Sequence, residues 1–281
     1  MLEDISICLT ARARWRSLSY EFIEDYSHWI SAAALILLLF WETAVPFFAS
    51  FFASKSERAI HCGRNVLLGL LNALMISGLF VGSWVWAAET SENIHLGFFY
   101  LLGLDGWIHA CCSILLMDFW TYWWHRMNHR VAFFWRFHQV HHSDRKMDVT
   151  TSYRFHLGEI FLSSLFRTGL ILLFGIKLWH LAAYEAFMFP IVMFHHANVG
   201  VPKEIDRLLR LVIVTPEMHK VHHSNFQPET DSNYTSMLSI WDRLFRSFKL
   251  SSDSHGIAFG LEGPEREHKA LNEMLKAPFG S

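Results

Sequence analysis

Two stretches of this sequence hold histidines at spacings that bring imidazoles onto shared helix faces. The first, Asp118 to His142, reads DFWTYWWHRMNHRVAFFWRFHQVHH and carries His125, His129, His138, His141 and His142, five of the chain's 18 histidines. The second, TPEMHKVHH, repeats the H-x-x-H-H spacing with His219, His222 and His223. On a helix, residues four apart stack on one face and residues three apart lie close to it. Each block therefore presents two or three imidazoles side by side, and Asp118, Tyr122, His125 and His129 form one stripe. Turned inward together, these faces make a cage of about eight to ten nitrogens, more than the four ligands one zinc takes. Two metal ions are the natural reading.

Without metal, so many neighbouring imidazoles in apolar sequence would leave buried polar atoms unsatisfied, at roughly 1–3 kcal/mol each. Other histidines show no such spacing. His28, His61, His95, His109, His180, His255 and His268 read as surface or hydrogen-bonded core residues.

The elements that must position these blocks are apolar. The chain is 52% hydrophobic, 16% aromatic and 18% charged, against about 25% charged in an ordinary soluble protein. Its 25 Phe and 12 Trp suit bilayer contact and interface belts. A net charge of −2 offers no electrostatic case for nucleic acid. None of the four cysteines has C-x-x-C spacing, so neither a thiolate metal site nor a disulfide framework is expected. The first 25 residues carry Arg12, Arg14 and Arg16 without an apolar core, so no cleavable leader is expected.

The pattern predicts an all-α integral membrane bundle of about four spanning helices, with membrane-surface helices and a histidine-rich metal cap. Residues 1–27 read as a polar lead-in and 28–281 as one membrane domain. Spans are expected at about 28–52, 66–88 and 107–124, with a hairpin over 158–196 and the cap formed by 125–157 and 195–250. Glu42 and Pro46 interrupt the first span, and a Glu there is costly unless it faces protein. Residues 66–88 contain no charge at all. Residues 204–214, EIDRLLRLVIV, read as a helix lying along the membrane surface. The 53–65 loop and the stretch from Arg126 to Lys146 are rich in Lys and Arg, while 89–106 has neither, which places the histidines on the cytoplasmic side.

The motifs then match a family. D-x-W-x-Y-x-x-H-R-x-x-H-R (Asp118–Arg130) followed by F-H-x-V-H-H-S (Phe137–Ser143) resembles the fatty acid hydroxylase/sterol desaturase superfamily. T-S-Y-R-F-H (Thr151–His156), F-x-H-x-N (Phe194–Asn198), P-x-x-H-x-V-H-H-S (Pro216–Ser224), E-T-D-S-N-Y (Glu229–Tyr234) and W-D-R-L-F (Trp241–Phe245) follow in the family's order. Two departures stand out: His156-Leu157-Gly158-Glu159 replaces H-P-L-E, and Phe245-Arg246-Ser247 replaces F-G-T. The resemblance implies a membrane oxygenase with a histidine-ligated pair of iron ions, which uses dioxygen and two electrons to hydroxylate or desaturate a lipid. Zinc is an alternative occupant of the purified protein. The resemblance adds His156 and His196 to the ligands and leaves His195, at a variable position, without a role. Asp118, Glu159, Asn198 and Asp231 are then candidates to accept the free N–H of ligating histidines. Breaking an unactivated C–H bond is beyond side chains alone, which agrees with a redox metal.

No dinucleotide fingerprint or C-x-x-C cluster is present, so electrons are expected from a separate carrier protein, with Arg126, Arg130 and Arg136 as its docking face. Phe119, Trp120, Trp123 and Phe134 read first as packing and only second as a lipid tunnel. Three other functions compete. A membrane zinc hydrolase lacks its H-E-x-x-H, and a metal transporter would spread ionisable residues through several spans. A metal-binding relative without turnover is the third.

Overall fold

The computed structural model describes residues 29–263 and 267–280, and every regular element among them is helical. The expected lead-in at 1–27 lies outside the described residues. Three isolated bridges, Pro46–Val199, Ile213–Leu238 and Ser224–Phe259, are the only extended pairings among those residues.

Helix α1 spans Trp29–Ala44 and stops short of Pro46, whose ring disfavours helix in the residue before it. Glu42, near its end, is 1% exposed. Its carboxylate accepts the backbone N–H of Val149 and of Asn198, each at 3.0 Å, and pairs with Arg58 at 2.7 Å. The charge faces protein, which removes the objection to an acid in an apolar helix.

Helix α2 (Lys55–Leu79) starts on Ser54, whose hydroxyl accepts the Glu57 N–H at 3.1 Å. The expected 66–88 span is divided. Phe80, at φ −117°, ends α2, and α3 (Val81–Asn93) continues with Trp84, Ala87 and Ala88 buried. After the short turn α4 (Phe98–Leu101), α5 (Gly106–Arg130) leaves at 77° to the preceding segment. Then come α6 (Ala132–His142), a 3-10 turn at Val149–Tyr153, and the hairpin of α7 (Leu157–Phe174) and α8 (Leu178–His196). The loop before α4 crosses the hairpin turn at Gly97 and Gly175, both at positive φ. A Cβ on Gly97 would sit 2.3 Å from the Gly175 nitrogen, so the backbones touch where only glycine fits. Arg167 and Glu185 pair across the hairpin.

By length and composition two helices, α2 and α7, can cross a membrane, or three if the bent α3–α5 segment counts as one. That is fewer than the four expected. Helix α1 is too short, and α8 contains buried His180, His195 and His196. Leu74, Leu37 and Phe40 turn outward at 70%, 67% and 73% exposure, which suits lipid contact. The core lies between the helices: Phe80, Trp84 and Ala87 pack with Met117, Ile171, Leu181 and Tyr184.

The cap is built of short helices: α9 (Lys203–Leu209), α10 (Pro216–His222), α11 (Gln227–Thr230), α12 (Ile240–Leu244) and α13 (Leu271–Lys276). The helix expected over 204–214 ends at Leu209. Its β-branched tail instead pairs with residues 237–239, through Val214 N–H to the Met237 carbonyl and Ser239 N–H to the Val212 carbonyl, both 3.0 Å. Leu68 of α2, Val140 of α6 and Met274 of α13 form the cluster that holds α6 in place.

Candidate metal centre

Helices α5, α6, α8 and α10 converge, and eight of their histidines with His223, which caps α10, form two groups. The first holds His125 and His129 from α5, His138 and His142 from α6, and His222 from α10; the second holds His141, His196, His219 and His223. Within each group the nearest ring nitrogens all lie within 4.8 Å of one another. The two H-x-x-H-H blocks share out their residues reciprocally. The outer pair of the first block, His138 and His142, joins the first group while His141 turns to the second. In the second block, His219 and His223 join the second group and His222 turns to the first. Outer members are four apart and stack; the middle one points along the neighbouring helix face.

Hydrogen bonds fix the protons. His125 Nδ1 lies 2.7 Å from the Tyr234 carbonyl, His222 Nδ1 2.7 Å from the Ser232 carbonyl and His196 Nδ1 2.7 Å from the Val192 carbonyl. His138 Nδ1 lies 2.9 Å from Glu159 Oε1. Carbonyls and carboxylates only accept, so each Nδ1 carries the hydrogen and each Nε2 of the neutral ring is a bare lone pair. Burial, helped by neighbouring imidazoles, holds His142, His219 and His223 well below the usual imidazole range and brings His222 down to about 3. These rings are neutral near pH 7, the form that binds metal.

The consequence is sharpest between His125 and His138. Their Nε2 atoms face each other at 3.1 Å, and with both rings neutral neither has a hydrogen to give the other. A shared cation turns that repulsion into two bonds. In the second group His196 Nε2 is approached by His141 Nε2 at 3.1 Å and His219 Nε2 at 2.9 Å, and His219 by His223 at 3.1 Å. With metal–nitrogen bonds of about 2.1 Å, neighbouring ligands of an octahedral ion stand about 3.0 Å apart and those of a tetrahedral one about 3.4 Å. Both nitrogens of His129 and of His142 are also buried without a partner. The residues present fit a pair of ions.

The tenth expected ligand, His156, lies outside both groups. Its Nδ1 accepts the Gly158 N–H at 2.9 Å, capping α7, and its Nε2 donates to the Leu275 carbonyl at 3.2 Å. With both nitrogens committed, the ring holds the C-terminal segment instead. Of the four residues expected to support ligands, Glu159 lies beside His138 and also accepts from Asn128 Nδ2 at 2.9 Å. Asp231 comes within 3.7 Å of His129 Nδ1 and 3.5 Å of Arg130. Asp118 makes no hydrogen bond to a histidine among the described residues. It accepts Trp241 Nε1 at 2.8 Å and the Leu238 N–H at 3.1 Å, tying α5 to the cap. Asn198 brackets the backbone of Phe48 instead. The orienting carbonyls of Val192, Ser232 and Tyr234 carry no sequence signal, since any residue supplies one. Phe119 packs on Trp241, Trp120 on Phe166 and Phe134 on Trp124.

The fatty acid hydroxylase family profile matches residues 110–247, the stretch that contains all nine grouped histidines. That stretch is similar to the fatty acid hydroxylase family. The chain is 32% identical over 154 residues to alkylglycerol monooxygenase of Homo sapiens, covering 54% of this chain and 33% of that protein. It is 31% identical over 175 residues to an ornithine lipid hydroxylase of Rhizobium tropici (59% and 49%), and 30% over 180 residues to lathosterol oxidase of Mus musculus (62% and 56%). The chain thus spans from a third to just over half the length of these curated relatives. No solved structure gives a significant match.

Proposed function

We propose that this chain is a membrane-bound di-iron oxygenase that hydroxylates or desaturates a lipid C–H bond, using dioxygen and electrons from a separate carrier protein. The observation that carries the reading is the pair of buried histidine groups, in which facing Nε2 atoms lie 2.9–3.1 Å apart. The relatives' names, a monooxygenase, a lipid hydroxylase and a sterol oxidase, support a lipid as the substrate class. Residues 28–281 act as one unit, crossing the membrane several times, with the histidines facing the cytoplasm. The basic stretches at 53–65 and 126–146 support that orientation.

His125, His129, His138, His142 and His222 would hold one ion, and His141, His196, His219 and His223 the other. Iron held there supplies the redox capacity to activate dioxygen against an unactivated C–H bond. The chain supplies the rest. Glu159 and three backbone carbonyls keep a proton on Nδ1 of His138, His125, His222 and His196, so Nε2 stays available and each ring keeps its direction. Burial of the donor atoms excludes water, which would otherwise compete for the ions and drain reactive species. Arg130 and Arg136 are exposed beside the site, and Arg126 lies over the Trp123 ring at 5.3 Å; together they offer a basic face to an acidic carrier.

The test is metal content and oxygen use of detergent-purified protein, grown with iron and handled without oxygen. About two irons per chain and oxygen consumption on reduction support the reading and justify a lipid screen by mass spectrometry. One tightly held zinc without redox response overturns it in favour of a hydrolase or a relative without turnover.

A further inference from the structure

His195 is the one cage imidazole that neither group includes. It occupies the variable position of the F-x-H-x-N motif, so the resemblance gives it nothing to do. Yet it is 1% exposed, its Nδ1 is buried without a partner, and it makes no hydrogen bond among the described residues. A core histidine kept for packing finds at least one partner, as His109 does on the Gly175 carbonyl and His180 on Ser113.

Its place matters more. The His195 ring stands 4.0 Å from that of His219 and 4.7 Å from that of His196. Touching rings within the second group are 4.3–5.2 Å apart. His195 thus touches two of that group's four members, His196 at a spacing within that range and His219 closer still. The first group has five imidazoles and the second has four. One group is an imidazole short, and one buried imidazole beside it lacks a partner.

We propose that His195 is the fifth ligand of the second group, joining it when metal binds. Its donor atom lies outside the 4.8 Å cluster, so it reaches the ion by a side-chain rotation at the end of α8. This deepens the two-metal reading and rests on it.

The experiment uses the full chain in detergent, stripped with a chelator and titrated with Co²⁺ followed by visible absorption. Wild-type protein taking up two cobalt ions sustains the two-metal reading; uptake of fewer overturns both that reading and this one. His195→Gln keeps the bulk of the side chain, and His195→Gly opens a hole that free imidazole can fill. In both variants one of the two cobalt affinities falls by about 10–100-fold, the size seen when support for a ligand shell is lost, and the visible band changes. Adding imidazole to His195→Gly restores band and affinity. If His195→Gln binds two cobalts with wild-type affinity and an unchanged band, His195 is not a ligand. Failure of imidazole to restore a folded His195→Gly, with helicity intact by circular dichroism, overturns the proposal equally.

Discussion

Glu159 gives the most pointed test of how the chain tunes its metal centre. Its Oε1 accepts His138 Nδ1 and Asn128 Nδ2, both at 2.9 Å, in a site where Glu159 is 4% exposed. Glu159→Gln keeps the shape and an accepting oxygen but removes the charge. A hydrogen bond to a charged group contributes about 1.5–3 kcal/mol and a neutral one about 0.5–1.5. The difference, about 1–1.5 kcal/mol, corresponds to roughly tenfold in affinity. Glu159→Ala leaves the His138 N–H and the Asn128 amide buried and unpaired, so its loss reaches about 100-fold. The effect falls on the first group alone, because His138 belongs to it. Competition against a chelator of known affinity, with both ions followed, reads the two sites separately. Equal weakening of both ions, or wild-type affinity in Glu159→Ala, would refute this account of His138.

Three further outcomes follow. His142→Ala abolishes activity and lowers metal content, whereas His95→Asn, at an exposed residue with φ 53°, changes neither; full activity in His142→Ala would sink the site assignment. His156→Ala keeps both ions but loses about 1 kcal/mol of stability with the cap of α7, and His156→Asn recovers much of it; loss of an ion in both variants would restore His156 to the ligands. The metal-free protein loses stability as pH falls below about 6.5. There the unfolded chain binds protons that buried His142, His219, His222 and His223 refuse until far lower pH, at up to about 1.4 kcal/mol per pH unit for each. Thermal melts on chelated protein between pH 8 and 5 check this, and a flat profile would show that these rings are not buried neutral.

Much of the site was legible because helical spacing is written in sequence. H-x-x-H-H fixes which imidazoles share a face, whatever surrounds them. It does not say how two such blocks divide their residues, since that depends on how α6 and α10 meet. His156 was misplaced for a related reason: the resemblance marks a histidine at that position, but only the fold brings the Gly158 N–H and the Leu275 carbonyl to its two nitrogens. Asp118 lies on the histidine stripe of α5, seven residues before His125, yet its partners come from the cap more than a hundred residues later. The expected 66–88 span is divided at Phe80, and the residues that follow it, Trp84 among them, pack in the core.

The reciprocal sharing of the two histidine blocks makes them behave like clasped hands. Neither ion can be fully gripped until α6 and α10 are both in place, because each lends the other's group its middle finger, His141 in one direction and His222 in the other. The two grips are therefore made by one and the same pair of helices, and a change that shifts α6 against α10 loosens both at once.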